Sequence, residues 1–115
     1  MSDNCVFCKI INGSIPSEKV HETTNVLVFK DINPVAPVHL LLIPKKHIKS
    51  VNELQHSDGN IISELFEVAS ELGKSIPELQ NNHRIIVSTG PDAGQVVEHM
   101  HFHLIGGRKL VWPPG

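Results

Sequence analysis

A chain of 115 residues with 40% hydrophobic and 19% charged side chains has the composition of a folded globule and the length for one hydrophobic core, which predicts a single domain over 1–115 and excludes a disordered chain. A formal net charge of −2, with no basic run longer than Lys45-Lys46, offers no positive track to a nucleic acid polymer. The longest apolar run, Leu40 to Ile43, is far too short to span a bilayer, and Met1 to Asn4 has neither a basic start nor an apolar core, so a cytoplasmic protein away from membranes is expected.

In chain order, Cys5 to Asn12 reads as a short helix closed by Gly13, with Pro16 following. Asn25 to Asp31 and His39 to Pro44 are β-rich and joined by the proline-bounded Asn33-Pro34-Val35-Ala36-Pro37, which predicts two strands on a stiff loop. From Ser57 to Ile76 the apolar positions Ile61, Ile62, Leu65, Phe66, Val68, Ala69, Leu72 and Ile76 recur at helical spacing until Pro77, giving the one long helix. His83 to Ser88 reads as a strand, Thr89 to Gly94 as a glycine-bearing turn, and His99 to Ile105 as another strand stopped by Gly106-Gly107. The sum is an α+β domain, a mainly antiparallel sheet with helices covering one face.

Eight histidines against no tyrosine direct attention to imidazole, the side chain that titrates and moves protons near neutral pH. In His99-Met100-His101-Phe102-His103-Leu104-Ile105 the period is two, so Met100, Phe102 and Leu104 are expected on the core side and the three imidazoles on the other. A strand rising about 3.3 Å per residue sets His99 and His103 roughly 13 Å apart, too far for one ion to hold both. A reactive centre at His101, with neighbours doing different work, fits better. A neutral imidazole is a nucleophile when its other ring nitrogen has a partner that fixes the tautomer. The preceding turn, Gly90-Pro91-Asp92-Ala93-Gly94-Gln95, is expected to cradle an anion on backbone N–H groups, with the Gln95 amide as a further donor. Cys5 and Cys8 form a C-x-x-C pair, which in a reducing compartment points to metal binding or redox chemistry rather than a structural bridge.

These residues resemble the histidine triad (HIT) family. The likeness rests on His99-x-His101-x-His103 and extends through Cys5-Val6-Phe7-Cys8-Lys9-Ile10-Ile11, Phe29-Lys30-Asp31-Ile32-Asn33-Pro34, Ala36-Pro37-Val38-His39, Ile43-Pro44-Lys45-Lys46-His47 and Gly106-Gly107-Arg108 through Trp112-Pro113-Pro114-Gly115. Those blocks are similar to the Hint branch of the family. The resemblance implies a HIT-like fold with about five strands, a homodimer, and hydrolysis of purine nucleoside phosphoramidates and related adenylates through a nucleotidyl-histidine intermediate with no catalytic cofactor. It places the nucleophile on His101, with His39 and His103 around the phosphate and leaving group and Gln95 near the nucleophile. It assigns the ribose hydroxyls to Asp31 and the apolar walls around the base to Phe7, Ile10, Ile15, Phe29, Ile32 and Leu41, and adds Ser88, Gly94 and Trp112 to the nucleotide contacts. A carboxylate suits a diol and an apolar slot a flat base.

Members with glutamine at the third histidine tend to be transferases, so His103 favours water as the final acceptor. The resemblance to zinc-binding bacterial members implies a structural zinc held by Cys5, Cys8, His47 and His99, a closed tetrahedral set. Two departures stand out: the branch often has asparagine where this chain has Ser88 and serine where it has Val96. Val96 donates no proton, which implies slower turnover or another donor. The alternatives are a dinucleoside polyphosphate hydrolase, against which the Trp112-Pro113-Pro114-Gly115 tail argues, and a nucleotide- or zinc-binding regulator whose catalysis is incidental. Trp112, in a proline-stiffened tail, is expected to reach a partner subunit near its active site.

Overall fold

The computed structural model describes residues 4–115; Met1 to Asp3, part of the stretch read for a targeting signal, lies outside the described residues. Five strands, β1 (Lys19–Glu22), β2 (Val26–Lys30), β3 (Val38–Pro44), β4 (His83–Ile86) and β5 (Phe102–Gly106), form one antiparallel sheet in the order β1-β2-β3-β5-β4. The helices are α1 (Val6–Ile11) and α2 (Gly59–Ser75). No helix among the described residues is long and apolar enough to cross a membrane.

The central strands are buried on both faces, which is why they read as continuous apolar runs. On one face Val26, Val28, Leu40, Leu42, Phe102 and Leu104 meet Leu65, Val68, Ala69 and Leu72 of α2. On the other, Leu27, Phe29, Leu41 and Ile43 meet Phe7, Cys8 and Ile10 of α1. The expectation of helices on one face is therefore corrected. Six residues of helix suffice for the second face because three of them are buried; each large side chain fully removed from water contributes about 1.5–3 kcal/mol.

Strand and helix limits shift where local chemistry intervenes. The predicted 57–76 helix begins at Gly59 after a short 3-10 turn, His56–Asp58. There the buried Asp58 carboxylate accepts Lys46 Nζ at 2.6 Å and the Gln55 N–H at 3.0 Å. β4 stops at Ile86, and β5 begins at Phe102 and runs to Gly106. His99 and Met100 leave the ladder: the Met100 N–H donates to Ile48 O and the His99 ring to Pro44 O. β1 is a polar edge strand that the sequence does not announce. Gly73 and Gly106 allow close approaches, since a Cβ there would lie 2.6 Å from the His83 ring and 2.4 Å from Leu79 respectively.

Candidate active site and metal centre

The alternation of the histidine segment sends Met100, Phe102 and Leu104 to the α2 side. The imidazoles lie on the α1 side but do not line an open face: His99 is fully buried, His101 is 7% exposed and His103 is half-buried. α1 covers them. The Phe7 ring meets His101 edge-on at 5.1 Å, His99 at 5.9 Å and Phe29 at 5.6 Å.

Backbone atoms set the tautomers. His101 Nδ1 lies 2.7 Å from the His99 carbonyl, and a carbonyl only accepts, so Nδ1 carries the proton and Nε2 the lone pair. That Nε2 takes no hydrogen bond within the described residues, yet it is not sealed from solvent. Burial of the ring is thus compatible with a reactive nitrogen. At His39 the logic is reversed: the Val35 N–H donates to Nδ1 at 3.1 Å, so the proton sits on Nε2. His39 Nε2 lies 2.9 Å from His103 Nδ1 and 3.3 Å from Asp31 Oδ2. His103 Nδ1 is then the acceptor, which leaves its Nε2–H as a free-facing donor.

Both rings are neutral near pH 7. Burial holds His39 below the usual imidazole range against the pull of Asp31. Burial, with the neighbouring His101 and His39, pushes His103 down to about 4. The 3.3 Å approach of His39 Nε2 to Asp31 is accordingly the contact of a neutral ring with a carboxylate rather than an ion pair. Asp31 has its other oxygen on the Asn33 N–H at 2.8 Å, and a carboxylate with two oxygens retains acceptor capacity beyond these bonds.

Cys5, Cys8, His47 and His99 bring their ligand atoms within 4.8 Å of one another. His47 Nδ1 is 3.3 Å from Cys8 Sγ, and His99 Nδ1 is 3.4 Å from Cys5 Sγ and 3.6 Å from Cys8 Sγ. Metal bonds of about 2.0–2.3 Å in a tetrahedron put ligand atoms roughly 3.3–3.8 Å apart, which these three separations match, so the donor set suits a metal ion. His99 Nε2–H donates to the Pro44 carbonyl at 2.8 Å, leaving Nδ1 as the lone pair that faces the sulfurs, the partner arrangement a metal-bound histidine needs. Burial, opposed by the Pro44 bond and aided by His47 and His101, lowers His99 to about 4, so the ring is neutral and ready to ligate. Asp31, His39 and His103 also cluster, but a ligating His39 Nε2 would need its proton on Nδ1, where the Val35 N–H already points. The tautomer argues against a second ion there.

Other predicted residues fall differently. Phe7, Ile10, Phe29 and Leu41 are buried together and Ile15 packs against them, whereas Ile32 is 92% exposed and outside that cluster. The Gly90–Gln95 turn does not present a cradle of open amides. The N–H groups of Ala93, Gly94 and Gln95 bond to carbonyls of the turn itself, and that of Gly90 to Gln95 Oε1. The Gln95 amide donates to the Lys49 and Val97 carbonyls, so it positions the turn rather than offering a donor to phosphate oxygens. Closing a tight 3-10 turn with Gly94 at φ +97° consumes these groups. Ser88 lies past the end of β4, and Trp112 stands 80% exposed in the tail. Sequence reasoning missed Val35, whose backbone decides the His39 tautomer; main-chain donors leave no mark in residue identity.

Comparison with known proteins decides the kinship. A family model described as the C-terminal binding region of the scavenger mRNA decapping enzyme matches residues 4–110. An uncharacterised HIT-like protein of Synechocystis is 40% identical over 119 residues, spanning all of both chains. The chain belongs to the HIT family. Among solved HIT structures, a HIT family hydrolase from Legionella pneumophila is 42% identical, with a TM-score of 0.93 over 97% of this chain and 100% of its own. A histidine triad protein from Clostridium difficile is also 42% identical, with a TM-score of 0.91 over 96% of each chain. The histidine triad nucleotide-binding protein from Candida albicans is 35% identical, with a TM-score of 0.80 over 96% of this HIT chain and 83% of its own.

Proposed function

We propose that this HIT protein is a hydrolase of purine nucleoside phosphoramidates and related adenylates, acting through a nucleotide carried covalently on His101. The observation that carries the reading is the His101 ring, whose Nδ1–H is committed to the His99 carbonyl at 2.7 Å while Nε2 is left with an unused lone pair. Attack of Nε2 on phosphorus forms the N–P bond and expels the amine. The positive charge that develops on the ring is stabilised by the same carbonyl. His103 Nε2–H, oriented through His39, is the donor for a phosphoryl oxygen or for the departing nitrogen. Water then cleaves the N–P bond and restores His101. With Val96 in place of a hydroxyl-bearing residue and 90% exposed, the neutral His103 gives the leaving group a hydrogen bond and water supplies its proton.

Asp31 is assigned to the ribose hydroxyls, and the Phe7, Ile10, Phe29 and Leu41 cluster to the side of the base. A structural zinc on Cys5, Cys8, His47 and His99 is supported by the ligand spacing; bound there, it supplies cross-linking of α1 to the histidine segment. A homodimer is supported by the exposed Val111 and Trp112 of the tail and is checked by sedimentation at micromolar concentration, where a monomer contradicts it.

The test is incubation with adenosine 5′-phosphoramidate and intact-mass analysis after acid-free quenching. The expected result is turnover by the wild type, a nucleotide adduct mapped to His101, and neither in His101→Ala. Faster turnover of a diadenosine polyphosphate than of the phosphoramidate, or an adduct on another residue, overturns the assignment.

A further inference from the structure

The Gly107-Arg108 pair that follows β5 has no part in the chemistry above, yet it grips the loop that controls His39. Arg108 Nη2 donates to the Val35 carbonyl at 3.0 Å. Gly107, at φ +90°, lies so close to the loop that a Cβ there would meet Pro37 Cβ at 2.9 Å. The Val35 N–H is the group that donates to His39 Nδ1. A chain of contacts therefore runs from the Arg108 guanidinium through the Val35 residue to His39, and from His39 Nε2 to His103 Nδ1 at 2.9 Å.

We infer that Arg108 is a positioning residue for the catalytic histidines: by clamping Val35, it locks His39 in the Nε2–H tautomer and so directs the proton of His103 outward. The inference rests on the reading of His103 as a donor under the proposed function, but its physical content is the tautomer and stands apart from any substrate. The reasoning is one of hydrogen-bond polarity. If the Val35 N–H withdraws, the His39 proton is no longer held off Nδ1, and only the Asp31 carboxylate, 3.3 Å from Nε2, still favours the original tautomer. A His39 Nε2 lone pair would then oppose the His103 Nδ1 lone pair across 2.9 Å, and His103 would have to move its own proton inward to Nδ1. The outward donor would be lost although every histidine remained in place. An arginine suits the clamp because its guanidinium is always charged and its fork reaches two carbonyls at once, here Val35 and Lys109. A charged donor on a carbonyl is roughly twice as strong as a neutral one. The loop between Asp31 and β3 is otherwise held by the Asp31 N–H on the His39 carbonyl, the Asn33 N–H on Asp31, the Val35 N–H on His39 and its prolines, so the arginine is its side-chain tether to the segment that follows the His103 strand.

The experiment is long-range 1H–15N correlation spectroscopy of the imidazole nitrogens in the ligand-free protein, at one pH well above the imidazole range. Wild type, Arg108→Ala, Arg108→Lys and Arg84→Ala are compared. In the wild type, His39 Nδ1 is expected at the position of an unprotonated, hydrogen-bonded nitrogen. In Arg108→Ala that resonance should move toward the protonated position with a matching opposite move of Nε2, and kcat on the phosphoramidate should fall about five- to tenfold. Arg108→Lys, which keeps a cationic donor, should recover most of both. Arg84→Ala removes the other exposed arginine bond in this region, to Val111 O, and should change neither. An Arg108→Ala spectrum in which His39 keeps the wild-type tautomer overturns the inference, as does an equal shift in Arg84→Ala. Should the wild type not turn over the phosphoramidate at all, the proposed function fails while the spectra still decide the role of Arg108.

Discussion

Replacing Phe7 with alanine tests whether α1 holds the histidines as well as the core. The Phe7 ring is 6% exposed and touches Phe29, His99 and His101 edge-on. Removing a buried phenylalanine costs about 3–5 kcal/mol, because the lost transfer energy is joined by the cavity that remains. The edge-on pair with Phe29 accounts for about 0.5–1.5 kcal/mol of such a loss. Phe7→Leu preserves most of the volume and should cost about 1–2 kcal/mol. Both variants free one side of the His101 ring, so turnover should drop roughly tenfold even in Phe7→Leu, where stability is largely retained. The assays are urea unfolding followed by far-ultraviolet circular dichroism, and kcat measured well below the unfolding midpoint. A loss of under about 1 kcal/mol in Phe7→Ala, or unchanged turnover in Phe7→Leu, would refute the idea that this ring braces the nucleophile.

Further outcomes follow from the same geometry. The purified protein should carry one zinc per chain by elemental analysis, and Cys8→Ser or a strong chelator should remove it and lower the melting temperature. A metal-free protein of unchanged melting temperature would contradict a structural role. Acid should destabilise the fold through His103: the unfolded ring binds a proton below about 6.5 and the folded one only near 4, so stability is full above pH 6.5 and is lost as pH falls to 4. The loss is on the order of 3 kcal/mol, with His39 adding in the same direction; urea midpoints between pH 7.5 and 4.5 should show it, and His103→Asn should flatten the slope. Gly73→Ala drives a methyl to within 2.6 Å of the His83 ring and should cost about 1–3 kcal/mol in the same unfolding assay.

The sequence was most informative where burial is two-sided or periodic. Leu40 to Ile43 could hardly be anything but a central strand, and the 3.6-residue period of α2 survives although Phe66 stays half exposed against Phe102. It was least informative where polar side chains replace a pattern. β1, with Lys19, His21 and Glu22, is an exposed edge with no alternation to read. β5 starts at Phe102 rather than at His99 because His99 and Met100 satisfy their bonds with Pro44 and Ile48 instead of a ladder. Spacing marks only the Cys5–Cys8 pair; the family resemblance adds His47 and His99, and the structure gathers all four. The closed amides of the Gly90–Gln95 turn and the tether between Glu64 and Thr23 and Asn25 depend on where a few dihedrals fall, which no spacing rule encodes.

Three imidazoles here have their proton placed by main-chain atoms: His101 by the carbonyl of His99, His99 by that of Pro44, and His39 by the amide of Val35. Peptide groups persist under every substitution that preserves the trace of the chain. The chemical state of these rings is thereby insulated from drift in the surrounding side chains, and descendants of this scaffold are free to vary the pocket, and with it the substrate, while inheriting the same arrangement of acids and bases.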